Sequence, residues 1–202
     1  MKKPLEPDKY YHIYNHANGK ENLFVNKGNY MFFFEKYEYY INPIADTFAY
    51  CLMPNHFHFA LRIKTEKEIV ENLSESLKLS ESSTDERIQK YLSKQFSNLF
   101  SSYTQAFNKQ QKRKGSLFIP NFSRKQITDK KYLKELIFYI HYNPIHHSFV
   151  KGINDWKYSS YKTILSSKLT NVKRNEVIKL FDNSENFIFC HKKETDEEFF
   201  SF

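Results

Sequence analysis

Apolar positions recur with a period of two in several short runs and near 3.6 in longer ones, and the two rhythms divide the chain into elements. The sharpest period-two run is "HFHFALRI", His56 to Ile63. On a strand, Phe57, Phe59, Leu61 and Ile63 share one side, while His56, His58, Ala60 and Arg62 share the other. One side suits a core and the other presents two imidazoles. The apolar run Asp46 to Met53, "DTFAYCLM", precedes it across Pro54-Asn55, which predicts an antiparallel hairpin. Tyr10 to Tyr14, "YYHIY", is rich in β-formers and predicts a first strand, with Asn-Gly turning the loop behind it.

The helical rhythm is clearest from Ile88 to Phe107, where Ile88, Leu92, Phe96, Leu99, Tyr103 and Phe107 keep a three-and-four spacing. "NKQQKRKG" closes that helix, with Gly115 as its stop signal. Asn29 as N-cap predicts a helix to about Ile41, and Thr128 or Asp129 predicts one from Lys130 to about Tyr142. The stripe of the latter is Leu133, Leu136, Ile137 and Ile140, with Pro144 expected just past its end. "SLFIPNF" is a further strand candidate, kept to an edge by Pro120. Thr65 to Glu86 is polar and reads as a weak helix and a mobile loop, with Ser83 and Glu86 at capping-box spacing. Residues from about Arg174 to Phe189 read as helical, before an acidic tail "ETDEEFFSF". Strand, helix, hairpin, helices and strand in that order predict an α+β fold, an antiparallel sheet backed by helices. There is no internal repeat.

Composition narrows the class. The 202 residues suffice for one domain, and 20 Phe with 15 Tyr supply a core. A formal net charge of +8 suits a polyanionic partner. Two cysteines, Cys51 and Cys190, lie far apart and do not make a disulfide scaffold, which fits a reducing cytosol. The first residues, "MKKPLEPDKYY", have no apolar run of a signal peptide, and no window approaches the roughly 20 apolar residues of a membrane span. A cytoplasmic protein without a membrane partner is expected.

Three constellations carry candidate chemistry. His56 and His58 on one strand face suit a divalent metal, and two ligands imply an open site with a third protein ligand and room for substrate oxygens. In "YIHYNP", Tyr139 and Asn143 are four apart and share a helix face. A tyrosine offers a phenolic oxygen that can attack phosphorus, and an asparagine offers a carbonyl oxygen to a metal. Lastly, Lys112, Arg113, Lys114, Arg124 and Lys125 are interleaved with Phe118, Phe122 and Tyr132, a mixture suited to single-stranded nucleic acid.

Beyond these readings, "AYCLMPNHFHFALRI" resembles the histidine–hydrophobe–histidine (HUH) segment of single-tyrosine transposases, in particular the REP-associated tyrosine transposases. Four further blocks keep the order: "YHIYNHANGKENLF", "SSYTQAFNKQQKRKGSLFIPNFSRKQI", "YIHYNPIHHSFV" and "DWKYSSY". The resemblance implies an HUH endonuclease fold, related to ferredoxin-like sheets, over residues 1–165, with a helical extension at 166–202 and a polar insertion at about 66–86. It implies His56 and His58 as metal ligands with Asn143, Tyr139 as nucleophile, and Mg²⁺ or Mn²⁺ as cofactor. The activity implied is cleavage and transfer of single-stranded or hairpin DNA through a 5′-phosphotyrosine link, with monomer and homodimer both open. The alternative is a domesticated, non-cutting nucleic-acid-binding protein of the same fold.

Overall fold

The computed structural model describes residues 3–71 and 84–192. Four strands form one sheet: β1 (Tyr10–His16), β2 (Ala45–Met53), β3 (His56–Ile63) and β4 (Ser123–Ile127), in the spatial order β2-β3-β1-β4 with every pair antiparallel. Around them lie α1 (Lys27–Tyr40), α2 (Glu66–Glu71), α3 (Thr84–Gln110), α4 (Lys130–His146), α5 (Tyr161–Leu165), α6 (Arg174–Leu180) and α7 (Ser184–Cys190). The predicted α+β class stands. The β2–β3 hairpin turns at Pro54-Asn55 as expected, and its register sets Met53 opposite His56.

Helices cover both faces of the sheet. On the first, Phe57, Phe59, Leu61 and Ile63 of β3 pack with Phe33 and Tyr37 of α1 and with Leu92, Phe96 and Tyr103 of α3. On the second, Ala60, Cys51 and Met53 pack with Leu133, Leu136, Ile137 and Ile140 of α4, together with Val177, Phe181 and Phe187 from the C-terminal helices. A bulge in β2 between Thr47 and Ala49 makes this possible. Ala45 belongs to the first core, but one inserted residue flips the parity, so Ala49, Cys51 and Met53 reach the second. The imidazole face of β3 is therefore covered rather than open: His56 is 2% and His58 4% exposed.

Several boundaries differ from expectation. Asn26, not Asn29, caps α1; Asn29 stands at N3, and its side chain completes a capping box. Helix α3 ends at Gln110, and Lys112, at φ 51°, makes the first left-handed turn ahead of Gly115 at φ 91°. "SLFIPNF" is not a strand: Phe118 makes a lone bridge to Ala17, and the edge strand begins at Ser123. Pro144 lies inside α4, which runs on to His146. Only the last turn follows it, so the missing N–H removes a single bond, and His147 N–H still donates to Asn143 at 2.9 Å. Asp129 is the cap, its side chain accepting from Tyr132 N–H at 2.8 Å. The helical stretch near the C-terminus is two helices broken at residues 181–183. Ser83, with its capping role, and the acidic tail lie outside the described residues.

Two further features position α4. His141, between Tyr139 and Asn143, lies in a buried relay: Ser160 Oγ is 2.7 Å from His141 Nε2, and His141 Nδ1 is 2.9 Å from His191 Nε2. His191 Nδ1 donates to the Phe187 carbonyl at 2.7 Å, and Tyr50 N–H donates to Ser160 Oγ at 2.9 Å. The relay fastens α4 to α7 and to β2. The outer edge of β2 is meanwhile sealed: Leu52 N–H donates to Tyr158 O, Ser160 N–H to Tyr50 O, and Lys173 N–H to Thr47 O. Cys51 and Cys190 are free thiols.

Candidate functional site

Register builds the site. Across β1 and β3, Tyr14 faces His58, His16 faces His56 and His12 faces Ala60. His12, Tyr14 and His16 thus share the face of the histidine pair, and α4 crosses that face with Tyr139 turned toward it. The Tyr139 ring lies 5.4 Å from the His58 ring and 6.0 Å from that of His12, edge-on to both. His56 and His58 are 5.2 Å apart. Strand and helix residues 81 positions apart in the chain, His58 and Tyr139, meet in one place.

Asn143 completes the group and is fully buried. Its Nδ2 donates to the Tyr139 carbonyl at 3.0 Å, which fixes the amide plane, while Oδ1 is enclosed with no donor at hydrogen-bonding geometry. The amide still acts on both neighbours. Burial lowers the His56 pKa to about 3, with His16 and His147 adding to the effect and Asn143 opposing it. Burial raises the Tyr139 pKa, and Asn143 pulls it back. His58 is pushed well down, chiefly by burial and then by His12. Burial, reinforced by Lys125, takes His12 down to about 3. The imidazoles are therefore neutral, the form that ligates metals.

These residues fit a divalent cation. His56 Nδ1 lies 2.7 Å from Asn55 Oδ1, an oxygen that can only accept, so Nδ1 carries the proton and Nε2 keeps a lone pair. His58 Nδ1 is likewise engaged, at 2.8 Å from His12 Nε2. An orphaned buried oxygen beside two neutral imidazoles is a mixed N,O donor set. Among the described residues, no three His, Cys, Asp or Glu side chains form a group that could hold a metal ion.

Sequence reading missed His12, His16, Tyr14 and His147. The first three carry the same two-residue spacing as His56 and His58, and parity along "YHIYNH" was the available signal. His147, just past α4, brings its ring within 4.8 Å of His56. A groove of about 610 Å³ lies toward the Tyr10 end of β1, lined by Phe48, Leu133 and Glu176 among others.

The basic candidates scatter. Lys125 pairs with His12 in the β1–β4 register and shares the histidine face, whereas Arg124 pairs with Ile13 and takes the other face. There its guanidinium lies 5.1 Å over the Phe122 ring, and it lines a groove of about 450 Å³ with Ser97, Ser101, Phe100 and Phe118. Lys112 and Lys114 are exposed. Arg113 is committed within the molecule, with Nη2 2.6 Å and Nε 3.2 Å from the two oxygens of Glu21.

Comparison with known proteins agrees with the fold. No family model matches the chain. Over 118 residues it is 27% identical to a protein of Haemophilus influenzae named as a REP-associated tyrosine transposase, a match covering 57% of this chain. The chain spans 58% of that relative's length. Among solved structures, a REP-associated tyrosine transposase bound to a REP hairpin superposes with a TM-score of 0.60 at 16% identity, covering 84% of this chain and 86% of that one. The expected resemblance is borne out in sequence and in fold. Among the described residues, no helix is long and apolar enough to cross a membrane.

Proposed function

From this likeness to REP-associated tyrosine transposases, we propose that the chain is a DNA strand transferase that binds single-stranded or hairpin DNA and cuts it with Tyr139. The observation that carries the reading is the meeting of the Tyr139 ring with the His58 ring at 5.4 Å, from separate elements, beside the unpaired Asn143 oxygen. Tyr139 gives up its phenolic proton and attacks phosphorus in line. A bond from phosphorus to the tyrosine oxygen forms, the bond to the 3′-oxygen breaks, and that oxygen leaves as a hydroxyl. The 5′-phosphotyrosine link keeps the phosphodiester energy, so another 3′-hydroxyl can reverse the step and join new ends.

His56 and His58, through Nε2, and Asn143, through Oδ1, would hold Mg²⁺ or Mn²⁺. When bound, the cation supplies charge stabilisation for the phosphate oxygens. Asn143 also favours the phenolate form of Tyr139 against the burial that opposes it. Lys125, on the same face, is placed to meet a backbone phosphate, and Arg124 with its aromatic neighbours offers a second contact on the far side of the sheet.

A labelled single-stranded hairpin incubated with Mn²⁺ tests the reading. Wild type is expected to give a covalent protein–DNA species that survives SDS, and Tyr139→Phe none. Tyr14→Phe is the control, since its ring is 5.6 Å from His58. An adduct that persists in Tyr139→Phe and disappears in Tyr14→Phe would move the nucleophile to β1. The other reading, a protein that binds DNA without cutting, draws on the finding that, among the described residues, no three His, Cys, Asp or Glu side chains form a group that could hold a metal ion. It expects hairpin binding with no adduct.

A further inference from the structure

We propose that His12 is a positioning residue for the metal site: it accepts a hydrogen bond from His58 Nδ1–H and so holds His58 in the tautomer whose Nε2 can take a cation. The inference rests on the metal reading above. It concerns a residue that touches one of the two candidate histidine ligands, His58, from a neighbouring strand.

His12 Nε2 lies 2.8 Å from His58 Nδ1, and both side chains are buried. The contact is diagonal across the β1–β3 pair. His12 stands directly opposite Ala60, whose methyl group leaves room for the imidazole to lean over toward His58. The two rings stack with centroids 5.1 Å apart. Tyr14, at 4.7 Å, and Tyr139, at 6.0 Å, contact the His12 ring and restrict its rotation. Ring orientation and partner are therefore both set by packing.

A neutral imidazole has one N–H and one lone pair, so a 2.8 Å contact between two of them admits two arrangements. If His12 donates, His58 spends its lone pair at Nδ1, carries its proton on Nε2 and has nothing to offer a metal. If His58 donates, its Nε2 lone pair is free. His56 shows the second arrangement enforced by chemistry, because its Nδ1 meets an amide oxygen that can only accept. The two candidate ligands thus share one pattern, Nδ1 tied to the scaffold and Nε2 left over. Fixing a ligand imidazole through its other nitrogen is the usual way to set both tautomer and orientation. His12 is not itself a ligand through Nε2, which is already spent on His58.

Two measurements test this. Long-range ¹H–¹⁵N spectra of the metal-free protein read tautomers directly, and His58 is expected as Nδ1–H. Finding wild-type His58 as the Nε2–H tautomer overturns the proposal without any variant. Mn²⁺ titration by calorimetry then compares wild type, His12→Phe and His12→Gln, with His58→Ala as the ligand-loss reference. His12→Phe keeps a ring but no acceptor and is expected to weaken Mn²⁺ binding roughly 10–100-fold. His12→Gln restores an acceptor and is expected within about threefold of wild type. Phe binding as wild type does, or Gln as weak as Phe, overturns the proposal while leaving the metal reading intact. Wild type that takes up no Mn²⁺ overturns both.

Discussion

Asn143 is held by one end of its amide: the nitrogen is tied to the Tyr139 carbonyl, and the oxygen is enclosed with no donor at hydrogen-bonding geometry. A buried acceptor left unpaired costs about 1–3 kcal/mol, and such a cost is characteristic of a site kept for a ligand. Asn143→Leu is therefore expected to raise stability by about 1 kcal/mol in urea denaturation while weakening Mn²⁺ binding about 10-fold or more. A loss of stability with unchanged Mn²⁺ affinity would make the amide structural. Sequence spacing was enough to find this residue with His56, His58 and Tyr139, because each pair sits at a strand or helix period. His12 shares a strand face with Tyr14 and His16, but that spacing does not show which residue its ring nitrogen meets. Its partner is 46 residues away and is brought to it only by the β1–β3 register. Arg124 and Lys125 were grouped as neighbours in the chain, yet alternation on β4 sends them to opposite faces.

At the scale of elements, α4 carries Tyr139, and the Ser160–His141–His191 relay fastens it. Burial pushes His141 well below its usual value and His191 down to about 4. Both are neutral in the fold, while the unfolded chain protonates them near 6.5. Their contribution is complete above about pH 6.5 and is lost as pH falls from there toward the folded value. Each costs at most about 1.4 kcal/mol per pH unit in that window. Urea denaturation at pH 7, 6 and 5 is expected to show stability falling with pH, and His191→Gln to flatten the slope by about one proton. A wild-type slope no steeper than that of His191→Gln would refute the relay. The hydrophobic stripe of α4 was plain in the sequence, but its length was not. Pro144 reads as a terminator, whereas a proline in the final turn costs only one bond. His141 lies between the two site residues in "YIHYNP", and only the tertiary fold shows that it turns the other way.

Across the whole molecule, an excess of positive charge meets a sheet whose two faces both carry basic groups near aromatic rings. Exposed Lys112 and Lys114 are free to meet phosphates, whereas Arg113 bridges to Glu21. For a single-stranded target, Lys112→Ala with Lys114→Ala is expected to flatten the plot of log affinity against log salt by up to about 1.4, roughly 0.7 per lost contact. Arg113→Ala is expected to leave that slope alone and to lower the melting temperature. Equal slopes for all three proteins would remove this loop from the DNA interface. The layered α+β class was legible because strand and helix periods were distinct. That helices cover both faces was not, since the bulge that turns Ala49, Cys51 and Met53 to the second core leaves no mark in an almost wholly apolar run. The C-terminal stretch from Arg174 to Phe189 was legible as helical, but its break and its packing were not, because Phe181 and Phe187 gain meaning only against α4.

The two margins of the sheet differ in kind. One is closed along its length by the chain's own residues 156–160 and 172–173. The other ends at β4, where among the described residues no further strand is paired. Among the described residues, this is the margin at which a second molecule could extend the sheet, and two such margins laid side by side would bring Arg124 and Lys125 of each near their counterparts. Electrostatic repulsion between these residues opposes pairing of two molecules through the β4 margin, and raising the ionic strength weakens that opposition.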